Sequence, residues 1–155
     1  MSARIALIVG AGSGLSASLA RAFTREGLHC VLAARSTEKL KPLCDELKAT
    51  AVACDSAQPD QVNALYAKLD ALCDAPTVVV YNAAQRVRGP VAELDPKQVA
   101  DAISVTAFGG FLVARAAAQR MLKKGTGTII FTGASASVKG YAQSATFATR
   151  REGQF

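Results

Sequence analysis

An α/β fold, built as a doubly wound parallel sheet with helices on both faces, is the class this sequence predicts. Three observations carry that prediction. Short runs rich in Ile, Leu and Val alternate strictly with helical patterns, the runs are apolar throughout, and a glycine-rich stretch joins the first run to the first helix. Strict alternation calls for parallel strands linked by right-handed crossovers.

The elements follow in order. Residues 4–9 form a short run bounded by glycine, as expected of a central strand buried on both faces. After Gly10-Ala11-Gly12-Ser13-Gly14, the residues Leu15, Leu19, Ala22 and Phe23 recur at helical spacing, Arg21, Arg25 and Glu26 take other faces, and Gly27 is placed as a C-cap. A strand over 30–34, a helix over 37–48 and a strand over 51–54 come next. A helix over 59–72, with Pro59 in its first turn, leads to a strand over 77–81. Beyond an irregular stretch at 86–90, one unbroken helix is predicted over 96–122, containing Gly109 and Gly110 and ended by Gly125 and Gly127. Thr128–Phe131 reads as a fifth strand, 132–140 as a loop of small residues, and 144–155 as the start of a further helix.

Composition bounds the function. A chain of 155 residues, half of them apolar, suffices for one domain with a real core. Its contiguous apolar runs fall far short of the roughly 20 residues that span a bilayer, so no membrane is expected. The N-terminus passes from Arg4 directly into a strand and a glycine loop, without the pattern of a signal peptide, and a cytoplasmic location is expected. Cys30, Cys44, Cys54 and Cys73 form no CxxC pair and His29 is the only histidine, so no metal site is expected and the cysteines read as reduced and structural. The net charge of +6 is scattered and aromatics are 6% of the chain, which argues against a nucleic-acid partner. A bound phosphate ester accounts for the basic bias, as do solvated helix faces at Lys41, Lys48, Lys123 and Lys124.

A strand, then Gly10-Ala11-Gly12-Ser13-Gly14-Leu15, then a helix is the arrangement in which backbone N–H groups at a helix N-terminus hold a diphosphate. The glycines allow a tight turn and close approach of the phosphates. About twenty residues on, where such folds meet the adenosine ribose, stand Ala33-Ala34-Arg35-Ser36. A carboxylate there would accept from a 2′-hydroxyl; Ala34 provides none, and Arg35 offers a fork of donors to a 2′-phosphate. NADP(H) is therefore favoured over NAD(H). The alternative for Arg35 is a plain surface arginine near a helix start.

With these motifs in order, the chain resembles the short-chain dehydrogenase/reductase family along its length. Val9-Gly10-Ala11-Gly12-Ser13-Gly14-Leu15-Ser16 resembles the family's Thr-Gly-x-x-x-Gly-x-Gly loop, with Val9 for Thr and Ser16 for the last Gly. Asp55 matches the acid that contacts adenine, and Tyr81-Asn82-Ala83-Ala84 resembles Asn-Asn-Ala-Gly. Val105-Thr106-Ala107-Phe108-Gly109-Gly110-Phe111 resembles the Val-Asn-x-x-Gly-x-Phe helix, and Gly127-Thr128-Ile129-Ile130 the strand before the catalytic serine. The resemblance implies a Rossmann-like sheet in the order 3-2-1-4-5, with Gly10, Gly12, Ser13, Gly14, Leu15, Arg35, Asp55, Asn82, Ala83 and Ala84 at the cofactor. It also implies a carbonyl or alcohol substrate and a homodimer or tetramer paired through the helix 96–122.

The family's catalytic Asn, Ser, Tyr and Lys do not align cleanly. Thr106 falls at the Asn, Ala134 near the Ser with Ser135 and Ser137 beside it, and Phe147 and Arg151 take the Tyr-x-x-x-Lys spacing. Phenylalanine has no proton to donate and arginine does not cycle one at neutral pH, though its charge can hold a ribose or phosphate. Ser135, Thr106 and Arg151 are the remaining candidates for catalysis, and Tyr141 reads as a loop anchor rather than an acid. The family's domain also continues further, so 1–155 is expected to be one nucleotide-binding domain truncated after about five strands, with the last strand as an unpaired edge. Two function classes follow: an NADP(H)-dependent oxidoreductase, and a nucleotide-binding or partner-binding module without turnover.

Overall fold

In the computed structural model, which describes residues 4–137 and 139–144, five strands lie in one parallel sheet. They are β1 (Ile5–Val9), β2 (His29–Ala34), β3 (Thr50–Ala53), β4 (Val78–Tyr81) and β5 (Thr128–Phe131), in the spatial order β3-β2-β1-β4-β5. The chain steps outward from β1 to β3, then returns across β1 to lay down β4 and β5. Val9 pairs with Ala33 on one side and Tyr81 on the other, so the direction of winding reverses beside the end of β1. The predicted order is the observed one.

All five residues of β1 and all four of β4 are buried, which is why these strands read as continuous apolar runs. Alternate residues feed two cores. On one face Ala6, Ile8, Leu32, Val78 and Val80 pack with Ala17 and Ala20 of α1 (Leu15–Arg25) and Leu43 of α2 (Lys41–Leu47). On the other, Leu7, Val9, Val31 and Val79 meet Val62, Leu65, Tyr66 and Leu69 of α3 (Pro59–Asp70) and Val113, Ala117 and Met121 of α5 (Gly109–Lys124). α3 and α5 are tied further: Tyr66 Oη donates to Val113 O at 2.8 Å, and Arg120 lies 4.8 Å from the Tyr66 ring centroid while its Nε and Nη2 reach the two oxygens of Asp70. Lys41, Lys48, Lys123 and Lys124 are exposed, as solvated helix faces should be.

Two helices depart from prediction. The span 37–48 is split into a 3-10 turn, Glu38–Leu40, and α2. Pro42, at the second position of α2, has no N–H to bond the carbonyl four residues back, so the ladder restarts there. The span 96–122 is α4 (Pro96–Ile103), a π-helical turn over Ser104–Phe108, and α5, which extends to Lys124. Tyr81 Oη donates to Val105 O within the π turn and shares a 2.9 Å hydrogen bond with Ser56 Oγ. Gly109 and Gly110 let the helix lie directly on β4: a Cβ at Gly109 would stand 2.5 Å from Tyr81 Oη and 2.9 Å from Ser56 O. The further helix expected over 144–155 falls outside the described residues except at Ser144, which is not helical but bridges Gly89.

β5 is an edge with Thr128, Ile130 and Phe131 exposed. The helical stretch Pro96–Lys124 is long and apolar enough, by length and a mean hydropathy of 1.4 alone, to cross a membrane. Contiguous apolar runs in the sequence pass over it because charged residues interrupt it. One of its faces packs against the sheet, and 28% of the apolar window is buried.

Replacing Gly109 by Ala separates packing from helix propensity. Propensity alone would stabilise the helix by about 1 kcal/mol. The contact with Tyr81 and Ser56 predicts instead a loss of about 1–3 kcal/mol in urea unfolding, and a stabilised G109A protein would contradict the close approach.

Candidate functional site

The site grows from the end of β1. Gly10 turns the chain at φ +83°, and the Gly10 and Ala11 N–H groups both donate to Ala33 O, at 2.9 and 3.0 Å, which anchors the loop to β2. A Cβ on Gly10 would stand 2.3 Å from Ala83 N, so no larger residue fits between the loop and the end of β4. At Gly12 and Gly14 a Cβ would meet nothing within 4 Å. The floor of the loop is closed and its mouth is open. α1 begins there with no side-chain cap and no acidic residue in its first turn. Its first N–H groups and the positive end of its dipole are the kind of donor set that receives an anion. The loop and helix start therefore fit a dinucleotide diphosphate.

A cleft of about 310 Å³ opens beside this turn, outside the ends of the strands where winding reverses. Of the ten residues expected at the cofactor, Gly10, Arg35, Asp55, Asn82, Ala83 and Ala84 line it. Gly12, Ser13, Gly14 and Leu15 are not in its walls; they form the adjoining turn into α1, where Ser13, Gly14 and Leu15 are exposed. Arg35 is exposed at the end of β2, next to Ser36, with Ala34 behind it. Asp55 is pinned in place: its Oδ1 accepts from Ala57 N at 3.0 Å and its own N–H donates to Gln61 Oε1 at 2.8 Å. The Cys54 thiol in the wall is pushed up to about 11 by burial and, secondarily, by the neighbouring Asp55 charge, so it stays neutral and acts as apolar lining. All four cysteines are free.

Thr106 and Ser135, the two catalytic candidates among the described residues, are not in the lining of this cleft, although Val105 next to Thr106 is. Thr106 lies in the π turn, and its Oγ1 accepts from Gln85 N at 3.3 Å, which steadies the chain leaving β4. Ser135 is exposed and is reached by Tyr141 Oη at 3.3 Å, so Tyr141 does anchor the loop. Phe147 and Arg151 lie outside the described residues.

Sequence reasoning missed Ser16, Ser36 and Ser56. Ser16 is 1% exposed; its Oγ donates to Gly10 O at 3.1 Å and accepts from Asn82 Nδ2 at 2.8 Å. The signal was a polar residue beside Ala17 and Ala20 on the small-residue face of α1. A larger depression, about 910 Å³, lies between the C-terminal ends of α3 and α5, at the opposite end of the sheet. Its Asp70 and Arg120 already satisfy each other, and it has no part in the glycine-loop site.

A doubly wound parallel sheet with a glycine loop at its switch point is the architecture shared by many nucleotide-binding α/β proteins. Residues 4–153 match the short chain dehydrogenase family model, and the chain belongs to that family. It is 31% identical over 144 residues to borneol dehydrogenase, mitochondrial, of Lavandula x intermedia, covering 86% of this chain and 52% of that protein. It is 28% identical over 130 residues to gluconate 5-dehydrogenase of Gluconobacter oxydans, covering 81% and 51%. The chain thus spans about half the length of these curated relatives. Among solved structures, a short-chain dehydrogenase from Rhodopseudomonas palustris matches with a TM-score of 0.88 at 30% identity, over 97% of this chain and 73% of that one. An actinorhodin polyketide ketoreductase variant with NADPH matches with a TM-score of 0.91 at 28% identity, over 97% and 60%.

The two kinds of glycine make a stability test. Gly10→Ala, strained in φ and colliding with Ala83, should lower stability by at least about 2 kcal/mol, whereas Gly14→Ala, with open space at its Cβ but at the N-cap of α1, should cost no more than about 1 kcal/mol. Equal denaturation midpoints for the two variants would contradict the loop geometry.

Proposed function

We propose that this chain binds NADP(H) along the cleft and serves a short-chain dehydrogenase-type oxidoreductase acting on a carbonyl or alcohol of a small molecule. One observation supports the cofactor choice above the rest. At the end of β2, Arg35 and Ser36 line the cleft, and Ala34 leaves no carboxylate to receive a 2′-hydroxyl or repel a 2′-phosphate. In this reading the diphosphate rests on Gly12, Ser13, Gly14 and Leu15 at the N-terminus of α1. The 2′-phosphate takes the Arg35 guanidinium and the Ser36 hydroxyl. Asp55 receives the adenine edge, and Asn82, Ala83 and Ala84 flank the nicotinamide ribose. When bound, the dinucleotide supplies a hydride donor or acceptor.

Phe147, at the family's tyrosine position, has no proton to donate and favours a second reading. In it the chain binds the nucleotide without turning over substrate and acts through a partner. Assembly as a homodimer or tetramer through the helix Pro96–Lys124 is supported by its exposed apolar residues: Ile103, Leu122, and Phe108 and Phe111, whose rings stack 6.4 Å apart. Four unpaired cysteines suit a reducing compartment such as the cytoplasm.

Fluorescence titration of NADPH tests the cofactor assignment. Arg35→Asp should weaken NADPH at least about tenfold and leave NADH unaffected or improved, since a charge-assisted phosphate contact is replaced by repulsion. Unchanged NADPH affinity would remove Arg35 from its role. Gly14→Val should abolish binding of either dinucleotide, and normal binding would refute the loop assignment. NADPH consumption with aldehydes, ketones and quinones separates the two functional readings, because binding without turnover across such substrates supports the second.

A further inference from the structure

Ser16 stands where the family's loop carries its last glycine, and its side chain completes a polar chain across three adjacent strand ends. Thr132 Oγ1, just past β5, donates to Asn82 Oδ1 at 2.7 Å. Asn82 Nδ2, just past β4, donates to Ser16 Oγ at 2.8 Å, and Ser16 Oγ donates to Gly10 O at 3.1 Å, just past β1. The direction of the chain is forced. A carbonyl oxygen only accepts and an amide nitrogen only donates, so Ser16, accepting from Asn82, spends its one proton on Gly10. The backbone runs alongside, with Asn82 N donating to Val9 O at 2.8 Å and Thr132 N to Tyr81 O at 3.1 Å. The chain ends on the carbonyl of the residue whose positive φ sets the course of the loop.

We propose that Ser16 is a positioning residue for the nucleotide: through Asn82 and Thr132 it latches the glycine loop to the ends of β4 and β5. The proposal rests on the cofactor reading above. Without the Ser16 hydroxyl, Asn82 Nδ2 and Gly10 O lose their shared partner in a half-buried place, where an unsatisfied group costs more than a hydrogen bond nets. The loop is then free to shift against Ala83 and Ala84. A ligand that spans loop and strand ends feels that shift. One confined to the Arg35 end does not.

The test compares NADPH with adenosine 2′-monophosphate, which reaches only the Arg35 end, by calorimetry on the full chain. Ser16→Ala should weaken NADPH about tenfold and leave the monophosphate unchanged. Thr132→Val, at the far end of the chain, should reproduce the loss, and the double variant should lose no more than either single. Unchanged NADPH affinity in S16A, or equal weakening of both ligands, overturns the latch. If S16A does not fold, T132V decides by the same comparison. A wild-type chain that binds neither ligand overturns the cofactor reading and the latch with it.

Discussion

The nucleotide site depends on how closely the loop after β1 lies against the end of β4. At Gly10 the backbone passes so near Ala83 that a methyl group would stand 2.3 Å from its nitrogen. That contact is possible because β1 and β4 are neighbours, and they are neighbours because the chain, having wound outward to β3, returns across β1. The same reversal leaves the crevice into which the loop and the N-terminus of α1 open. Winding, close approach and cleft are one constraint seen at three scales.

The cleft is electrostatically divided. Its glycine-loop end offers N–H groups and a helix terminus without a first-turn carboxylate, and Arg35 stands at its β2 end. Both features suit phosphate, and their separation suits a molecule with phosphates at two places. The walls between are Asp55, held by its own turn, and the neutral Cys54 thiol. An NADP(H) ligand accounts for all of these together, whereas a general basic surface would account only for Arg35.

Most of the framework was legible in the residues. β1 and β4 are buried on both faces, so their hydrophobicity is continuous, and the glycine loop and Arg35 fall at spacings that follow from the winding. What escaped has tertiary causes. The π turn at Ser104–Phe108 lies where a hydroxyl on β4 reaches Val105 O, a contact no helical periodicity encodes. Pro42 is visible in the sequence, yet the apolar periodicity over 37–48 runs through the break it makes in the ladder. Ser16 read as a blemish in a glycine motif because its partners, Gly10 and Asn82, are six and sixty-six residues away.

Among the described residues, neither Thr106 nor Ser135 lines the cleft. The Thr106 and Ser135 hydroxyls are engaged by Gln85 and Tyr141, outside the cleft, and Phe147 offers no proton. Cofactor binding is thus the central claim, and its most direct test is calorimetric titration of the wild-type chain with NADPH and NADH side by side. The account predicts NADPH binding at least about tenfold tighter, the scale of one charge-assisted phosphate contact. Equal affinities, a preference for NADH, or no binding of either would contradict it.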